Sequence, residues 1–332
     1  MLLNRKCGRM RACNACNLAS VRAGDSALPR VTIPVYAINT ATRSDGGLLR
    51  ALAERSGGRY VDATLLGSAG AASLLLADVY VDDAFGAAHR AHASVAALPS
   101  LLPSAAGRLL EREVHVLSRL RDDPVRPYVA VLGGAKVSDK LATLGALAQR
   151  VDVLCIGGAM AFTPIAARGG RIGASLVEPE RGAAVLAVLE DAARRGVDVR
   201  LPTDVVIASE VGPEAPTTVV PADAIPDGQR GLDIGPASVA SFADAMAGAA
   251  TILWNGPMGV FEMASFAGGT EGVARAIAAS GAFSVVGGGD SLLAVRRLGL
   301  EAAFGHLSTG GGASLEFLEG RDLPGIRALE VA

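Results

Sequence analysis

A chain of 332 residues, half of them hydrophobic, has enough apolar material for two buried cores, which excludes a disordered or fibrous protein. Forty-one glycines beside only 4% aromatic residues favour an α/β protein with many tight loops and small packing residues. The net charge is −2, and no apolar run spans a bilayer without interruption, since residues 151–167 contain Asp152, Thr163 and Pro164; the chain reads as soluble, with no membrane partner.

The charge is unevenly spread. Residues 1–60 hold ten Lys/Arg against three Asp/Glu, leaving 21 against 30 in the remainder. A basic front suits nucleic-acid binding or an Arg-rich organellar leader, but these arginines are scattered and no aromatic stacking pattern accompanies them, so no nucleic-acid partner is expected. No secretory apolar region follows Met1. Cys13 and Cys16 form a CxxC near Cys7, but a structural zinc site wants four ligands and no second pair or nearby histidine supplies them. With Cys155 inside an apolar run, cysteine usage points to a reducing cytoplasm without disulfides.

Taken in order, residues 1–60 predict little beyond a weak strand near Val31–Ile38 and a helix over 48–54. A helical pattern follows over 69–76, then a short strand over 77–81 that leads into a polar run, Asp82 to His92. In that run Arg90, flanked by His89 and His92, is a forked donor suited to a carboxylate or phosphate, or simply a solvated surface group. The spacing predicts a helix over 105–120 with Leu109, Leu110, Val114, Leu117 and Leu120 on one face, ending before Asp122-Asp123-Pro124; the first domain boundary is expected there.

From Pro127 onward strands alternate with helices. Strands are expected at Tyr128–Leu132, Val151–Ile156, Thr203–Ala208, Thr251–Trp254 and Ala282–Val286. Helices are expected at 138–148, 160–167, 178–195, 238–247, 269–279 and 292–297, with a Pro/Asp-rich connection before residue 238. This rhythm implies right-handed crossovers and a parallel sheet covered on both faces, with ligands beyond the carboxyl ends of the strands.

Four strand ends carry chemistry. Gly133-Gly134-Ala135-Lys136-Val137-Ser138-Asp139-Lys140 holds two of the chain's three lysines, against 28 arginines. A chain that uses arginine almost everywhere has kept lysine where a compact, mobile charge serves phosphates. If the helix begins near Val137, both ammonium groups lie on one side of its first turn. The loop is neither a Walker A sequence nor a GxGxxG dinucleotide fingerprint. In Trp254–Glu262, Asn255 can donate to a phosphate and Glu262 can accept from a ribose hydroxyl, while Trp254 reads as core. Gly287-Gly288-Gly289-Asp290-Ser291 and Ser308-Thr309-Gly310-Gly311-Gly312 are strand-to-helix turns of the kind that bind phosphate, and Asp290 can hold magnesium. Gly157-Gly158 and Gly231-Leu232 offer apolar clefts for a base.

At these residues the chain resembles the phosphoglycerate kinases. GGAKVSDK, WNGPMGVFE, GGGDS, STGGGASLEFLEG and DAFGAAHRAH match that family's patterns in the family's order, from about Leu75 to the C-terminus. The resemblance implies two Rossmann-like α/β domains with parallel sheets. These would be an incomplete N-terminal substrate-side domain over 1–120, a doubly wound nucleotide-binding domain over 121–316, and a tail over 317–332 returning to the first. It implies that Lys136 and Lys140 contact the nucleotide phosphates and the group in transit, with Gly134, Ala135, Gly288, Gly289 and Ser291 beside them. Asp290 would bind Mg2+, Asn255 a phosphate, Glu262 the ribose, and Gly157, Gly158, Gly231 and Leu232 the adenine. Amides of Thr309, Gly310, Gly311 and Gly312 would meet the phosphoryl group, and Arg90 the phosphate of the glycerate. The implied activity is reversible phosphoryl transfer from 1,3-bisphosphoglycerate to ADP in glycolysis, by a cytoplasmic monomer.

The family's other glycerate-gripping motifs are not readable in residues 1 to about 70, whose odd charge and cysteine usage a frameshift, a different start or a replaced segment would leave. The rival reading is a catalytically impaired relative that binds MgADP or MgATP without turnover.

Overall fold

Runs such as Tyr128–Leu132 and Thr251–Asn255, apolar or nearly so along their length, belong in a sheet covered on both faces, and every residue of both is buried. The structure, a computed structural model, describes residues 37–39, 60–62 and 79–331. They fall into two compact units, one taking the described residues up to Val116 together with those from Arg321 on, the other Leu117–Gly320.

In the first unit, strand β1 (Ala37–Asn39) pairs in parallel with β2 (Tyr60–Asp62), and β3 (Tyr80–Asp82) with β4 (Ser104–Ala106). Helix α1 (Arg108–Asp122) follows, its residues from Leu117 on counting with the second unit. Its start is set from a distance, because the Asp83 carboxylate accepts the N–H groups of Leu109 (2.7 Å) and Leu110 (3.0 Å), two of the amides that a helix start leaves unpaired. The helix expected over 105–120 is thus displaced, since Ser104–Ala106 is taken by the β3 ladder. Leu110, Val114, Leu117 and Leu120 are buried as their spacing predicts, but Leu109 is 42% exposed. The strand expected near 31–38 overlaps β1 only at its end; the rest of it, and the helices over 48–54 and 69–76, lie outside the described residues.

The second unit opens on β5 (Tyr128–Leu132), α2 (Leu141–Leu147), β6 (Val153–Ile156), α3 (Phe162–Ala167) and β7 (Arg171–Ile172). Then come α4 (Gly182–Arg194), β8 (Asp198–Arg200), β9 (Asp204–Ala208), β10 (Thr218–Pro221), β11 (Ala224–Ile225) and β12 (Arg230–Ile234). The unit closes with α5 (Pro236–Met246), β13 (Thr251–Asn255), α6 (Gly268–Ala279), β14 (Phe283–Gly287), α7 (Gly289–Arg297), β15 (His306–Leu307) and α8 (Gly312–Leu318). A last helix, α9 (Pro324–Val331), belongs to the first unit, where the Gly325 N–H donates to the Ala88 carbonyl at 2.9 Å.

Six strands form one wholly parallel sheet in the order β15-β14-β13-β5-β6-β8. The chain builds outward from β5 through β6 to β8 and then returns to lay β13, β14 and β15 on the other side, so β5 and β13 flank the point where strand order reverses. Register aligns Leu132 with Ile156 on one side and with Asn255 on the other, and Asn255 with Gly287, so these strands end level on one edge. Beneath lies a core that includes Val131, Cys155, Phe242, Ile252, Trp254, Met258 and Val286.

Two expectations fail here. Residues 204–208 form β9, which is not a strand of the parallel sheet: β10 and β12 pair with it antiparallel as a separate three-stranded sheet. The Pro/Asp-rich connection therefore contains strands, of which β10 is an edge strand, mostly exposed and ending in Pro221, a residue that argues against a strand in sequence. The sequence pattern also lacks β8, whose polar ends Asp198 and Arg200 mask an edge strand.

Candidate active site

Three of the predicted loops leave the level strand ends of β5, β13 and β14, and one lysine fastens two of them. Lys140 Nζ donates to the carbonyl of Gly133 (2.6 Å), just past β5, and to that of Asn255 (2.9 Å), the last residue of β13. The Gly133 N–H reaches the same Asn255 carbonyl at 3.0 Å. Burial pushes the Lys140 ammonium down to about 8, while the carboxylates of Asp290 and Asp139 pull against that fall. The Asp290 carboxylate thus acts electrostatically on Lys140, although 150 positions separate them in the chain.

Gly256 makes the approach of the strands feasible. Its φ is +99°, and a Cβ there would overlap the Gly133 carbonyl oxygen and crowd the Lys140 ammonium. Its N–H donates to the buried Ser291 Oγ at 2.7 Å, and its carbonyl accepts from Trp254 Nε1 at 2.8 Å. Ser291 thus supports the loop from behind, and Trp254, wholly buried, is core with a polar tip holding the rim.

The expectation that both lysines share a helical face is not met. Helix α2 begins only at Leu141, and Lys140 sits at its cap with φ −128°, ψ 5°. The turn ahead of it is pinned instead by Glu178, which accepts the Ser138 N–H (2.9 Å) and the Ser138 hydroxyl (2.5 Å). Lys140 turns inward to the strand ends, while Lys136 and Ala135 stay exposed. The Ser138 hydroxyl and amide, with the charge of Lys136, hold the Glu178 carboxyl below its usual range. Glu178 is a site residue that sequence reasoning missed, since nothing in a helix-like run 40 residues away marks it as a partner of Ser138.

Asp290 lies exposed in the first turn of α7, with Gly288 as the capping residue and Gly289 as the first helical one. Asn255 is buried, with its side-chain amide against the backbone of Gly287 and Gly288. Phe261 packs under the Arg297 guanidinium of α7, 5.4 Å from the ring centre, and leaves Glu262 exposed beside it. At the end of β15, Ser308 and Ser314 hydroxyls bond at 2.7 Å beneath Thr309–Gly312, in which Thr309 and Gly312 are exposed and Gly311 caps α8.

On the other side of the switch point, the Gly157 N–H donates to the Leu132 carbonyl (2.8 Å) and the Met160 N–H to the Gly134 carbonyl (3.0 Å), which ties the end of β6 to the lysine loop. Gly231 and Leu232 sit on β12 at an irregularity in its register with β9, and the Leu232 carbonyl accepts the Val260 N–H at 2.9 Å. Beside them the Asp233 carboxylate is buried and accepts the N–H groups of Gly269 (2.6 Å) and Ile234 (2.9 Å); burial pushes it up to about 7. Arg90 lies in the first unit, exposed, with its Nε–H donating to His89 Nε2 at 3.1 Å.

This edge gathers a half-buried ammonium, an exposed one, an exposed carboxylate and several glycine turns at a strand-order reversal, which suits a polyanion carrying a cation. Among the described residues no cluster of three or more His, Cys, Asp or Glu could hold a metal ion by itself. One carboxylate is nonetheless the donor set that fits magnesium, which keeps waters and substrate phosphate oxygens as its other ligands.

The family model described as phosphoglycerate kinase matches residues 69–321. The chain belongs to the phosphoglycerate kinase family. It is 59% identical over 271 residues to the phosphoglycerate kinase of Frankia alni, covering 81% of this chain and 67% of that one. To that of Salinispora tropica it is 60% identical over 256 residues, covering 77% of this chain and 63% of the relative. The matches thus span about two thirds of the length of these phosphoglycerate kinases. The structure of the Coxiella burnetii phosphoglycerate kinase superposes with a TM-score of 0.80 at 36% identity, over 90% of this chain and 86% of that one. That of the Pyrococcus horikoshii enzyme gives 0.70 at 29%, over 89% and 78%. Among the described residues no helix is long and apolar enough to cross a membrane.

Proposed function

We propose that this chain is a phosphoglycerate kinase, moving a phosphoryl group between 1,3-bisphosphoglycerate and ADP. The observation that carries the reading is the Lys140 ammonium, bonded to the carbonyls at the ends of β5 and β13 and within electrostatic reach of Asp290, at the strand-order reversal where such sheets bind nucleotides.

In this reading the second unit binds the nucleotide. Gly157, Gly158, Gly231 and Leu232 line the adenine, Glu262 accepts from the ribose, and Gly134, Ala135, Asn255, Gly288, Gly289 and Ser291 form or support the phosphate cradle. An oxygen of the terminal ADP phosphate attacks the acyl phosphorus in line; the bond from that phosphorus to the carboxyl oxygen breaks, and 3-phosphoglycerate leaves as a carboxylate. Lys136 and Lys140 stabilise charge on the group in transit, aided by amides of Thr309–Gly312, and no covalent adduct forms on the protein. Asp290 holds the magnesium ion that neutralises phosphate charge when bound. Arg90 binds the glycerate phosphate. The protein works as a cytoplasmic monomer on small molecules.

A coupled assay of 3-phosphoglycerate-dependent ATP consumption, run beside calorimetry with MgADP, tests this. Turnover together with binding is expected; binding without turnover would instead make the chain an impaired member of its family.

A further inference from the structure

Between β7 and α4 runs a short segment, residues 173–178, of which only Glu178 has so far been placed at the site. It nonetheless touches both ends of that site. The Ser175 hydroxyl, in a residue only 7% exposed, accepts the Gly231 N–H at 2.9 Å, and Gly231 is the strand residue on the proposed adenine side. Three positions later Glu178 grips Ser138, in the middle of the loop that carries Lys136 and Lys140, through its N–H (2.9 Å) and its hydroxyl (2.5 Å).

The segment is itself held at both ends. The Ala174 N–H donates to the Gln229 carbonyl (2.8 Å), at the turn that leads into β12. Gly173, with φ +55°, sits where a Cβ would overlap the carbonyls of Gln229 and Pro226. The Glu178 N–H donates to Thr163 Oγ1 of α3 at 3.1 Å, and Pro179, with its fixed φ, follows at once. Three residues of chain span at most ~10 Å, so the two grips cannot drift apart by more than that and the length of two side chains.

We propose that residues 175–178 form a strap that fixes the spacing between the base-side strand β12 and the phosphate-side lysine loop, with Ser175 and Glu178 as its positioning residues. The strap makes the site select ligands that engage both ends together, a purine nucleoside carrying a polyphosphate, and in this it rests on the nucleotide reading above. The chemistry is direct. A carboxylate with two donors from one residue is a strong, directional tie, and a buried hydroxyl that satisfies a strand N–H costs free energy to remove.

The test has two arms on the full chain, each using variants shown to melt as cooperatively as the unsubstituted protein. In the first, amide hydrogen exchange of the unliganded protein is followed over 133–140 and 229–234. Glu178→Ala and Ser175→Ala are each expected to speed exchange in both segments, and a change confined to the segment each residue touches would overturn the strap. In the second, ADP is titrated calorimetrically. Glu178→Ala is expected to weaken ADP about tenfold, and Glu178→Gln, which keeps an acceptor for Ser138, to recover most of the loss. The double variant should lose less than the product of the single losses, because either change frees the same strap. Unaltered affinity in Glu178→Ala, or losses that simply multiply, would contradict the proposal. Should the unsubstituted protein fail to bind ADP, the nucleotide reading falls, and the exchange arm still decides whether the strap exists.

Discussion

Lys140 and Asn255 stand 115 positions apart, yet the ammonium of one donates to the backbone carbonyl of the other at 2.9 Å, across the point where the order of the central strands reverses. The bond does two things at once. It satisfies a carbonyl at the end of a buried strand, and it fixes a cation where the glycine turns open. Removing it by Lys140→Ala is expected to lower the rate ~100-fold or more, the effect of losing one preorganised charge donor, as read by the coupled assay. An unchanged rate would show that the ammonium serves only the strand ends.

The same group sets a pH dependence. Burial lowers Lys140 from 10.5 to about 8 in the folded protein, so between those values the unfolded chain binds the extra proton. The cost of burying the charge is carried in full below about pH 8 and is relieved as pH rises toward 10.5. Stability should therefore gain a rising component over this window that Lys140→Met lacks, measurable by chemical denaturation at pH 7.5 and 9.5. ADP affinity should move the opposite way, falling as pH passes about 8 and the donor loses its charge.

Asp233 gives the mirror case. Its carboxyl is raised from 3.8 to about 7, so between these values the folded state holds the proton that the unfolded state has lost. Its contribution to stability is fully present below about pH 4 and is lost as pH rises through about 7. In Asp233→Asn the difference in melting temperature between pH 5 and pH 8 should shift accordingly relative to the unsubstituted protein. An identical pH profile in the two proteins would contradict the assignment.

Gly256→Ala is expected to destabilise the fold by about 1–3 kcal/mol from backbone strain alone, and by more as the new Cβ meets the Gly133 carbonyl. ADP binding should suffer along with melting temperature, because the displaced atoms belong to the site. Trp254 offers a direct readout. It is the only tryptophan in the chain, and its Nε1 is bonded to the Gly256 carbonyl. Its emission should be that of a buried indole and should change when ADP binds, and emission insensitive to ADP would separate the Gly256 loop from the ligand.

The sequence reveals the parts of the fold whose physics is local. Tyr128–Leu132, Thr251–Asn255 and Phe283–Gly287 announce themselves as buried parallel strands because each is an apolar run closed by glycine or asparagine, and the loops after them carry the groups that converge. What stays hidden depends on partners far away in the chain. By its spacing helix α2 begins near Val137, whereas in the fold Glu178 takes the Ser138 amide, Lys140 turns toward two carbonyls and the helix starts at Leu141. Residues 204–208 have the composition of another parallel strand, and only their antiparallel neighbours, β10 and β12, show otherwise. Leu109 fits the apolar face of its helix by spacing, but the Asp83 cap begins the helix there and leaves it at the surface.

The central claim is that loops from separate strands jointly cradle a nucleotide polyphosphate around Lys140. Calorimetric titration of MgADP into the unsubstituted protein and into Lys140→Ala tests it most directly. The account predicts one-to-one binding in the first and at least about tenfold weaker binding in the second. Equal affinity in the two proteins, or none in the unsubstituted one, would contradict it.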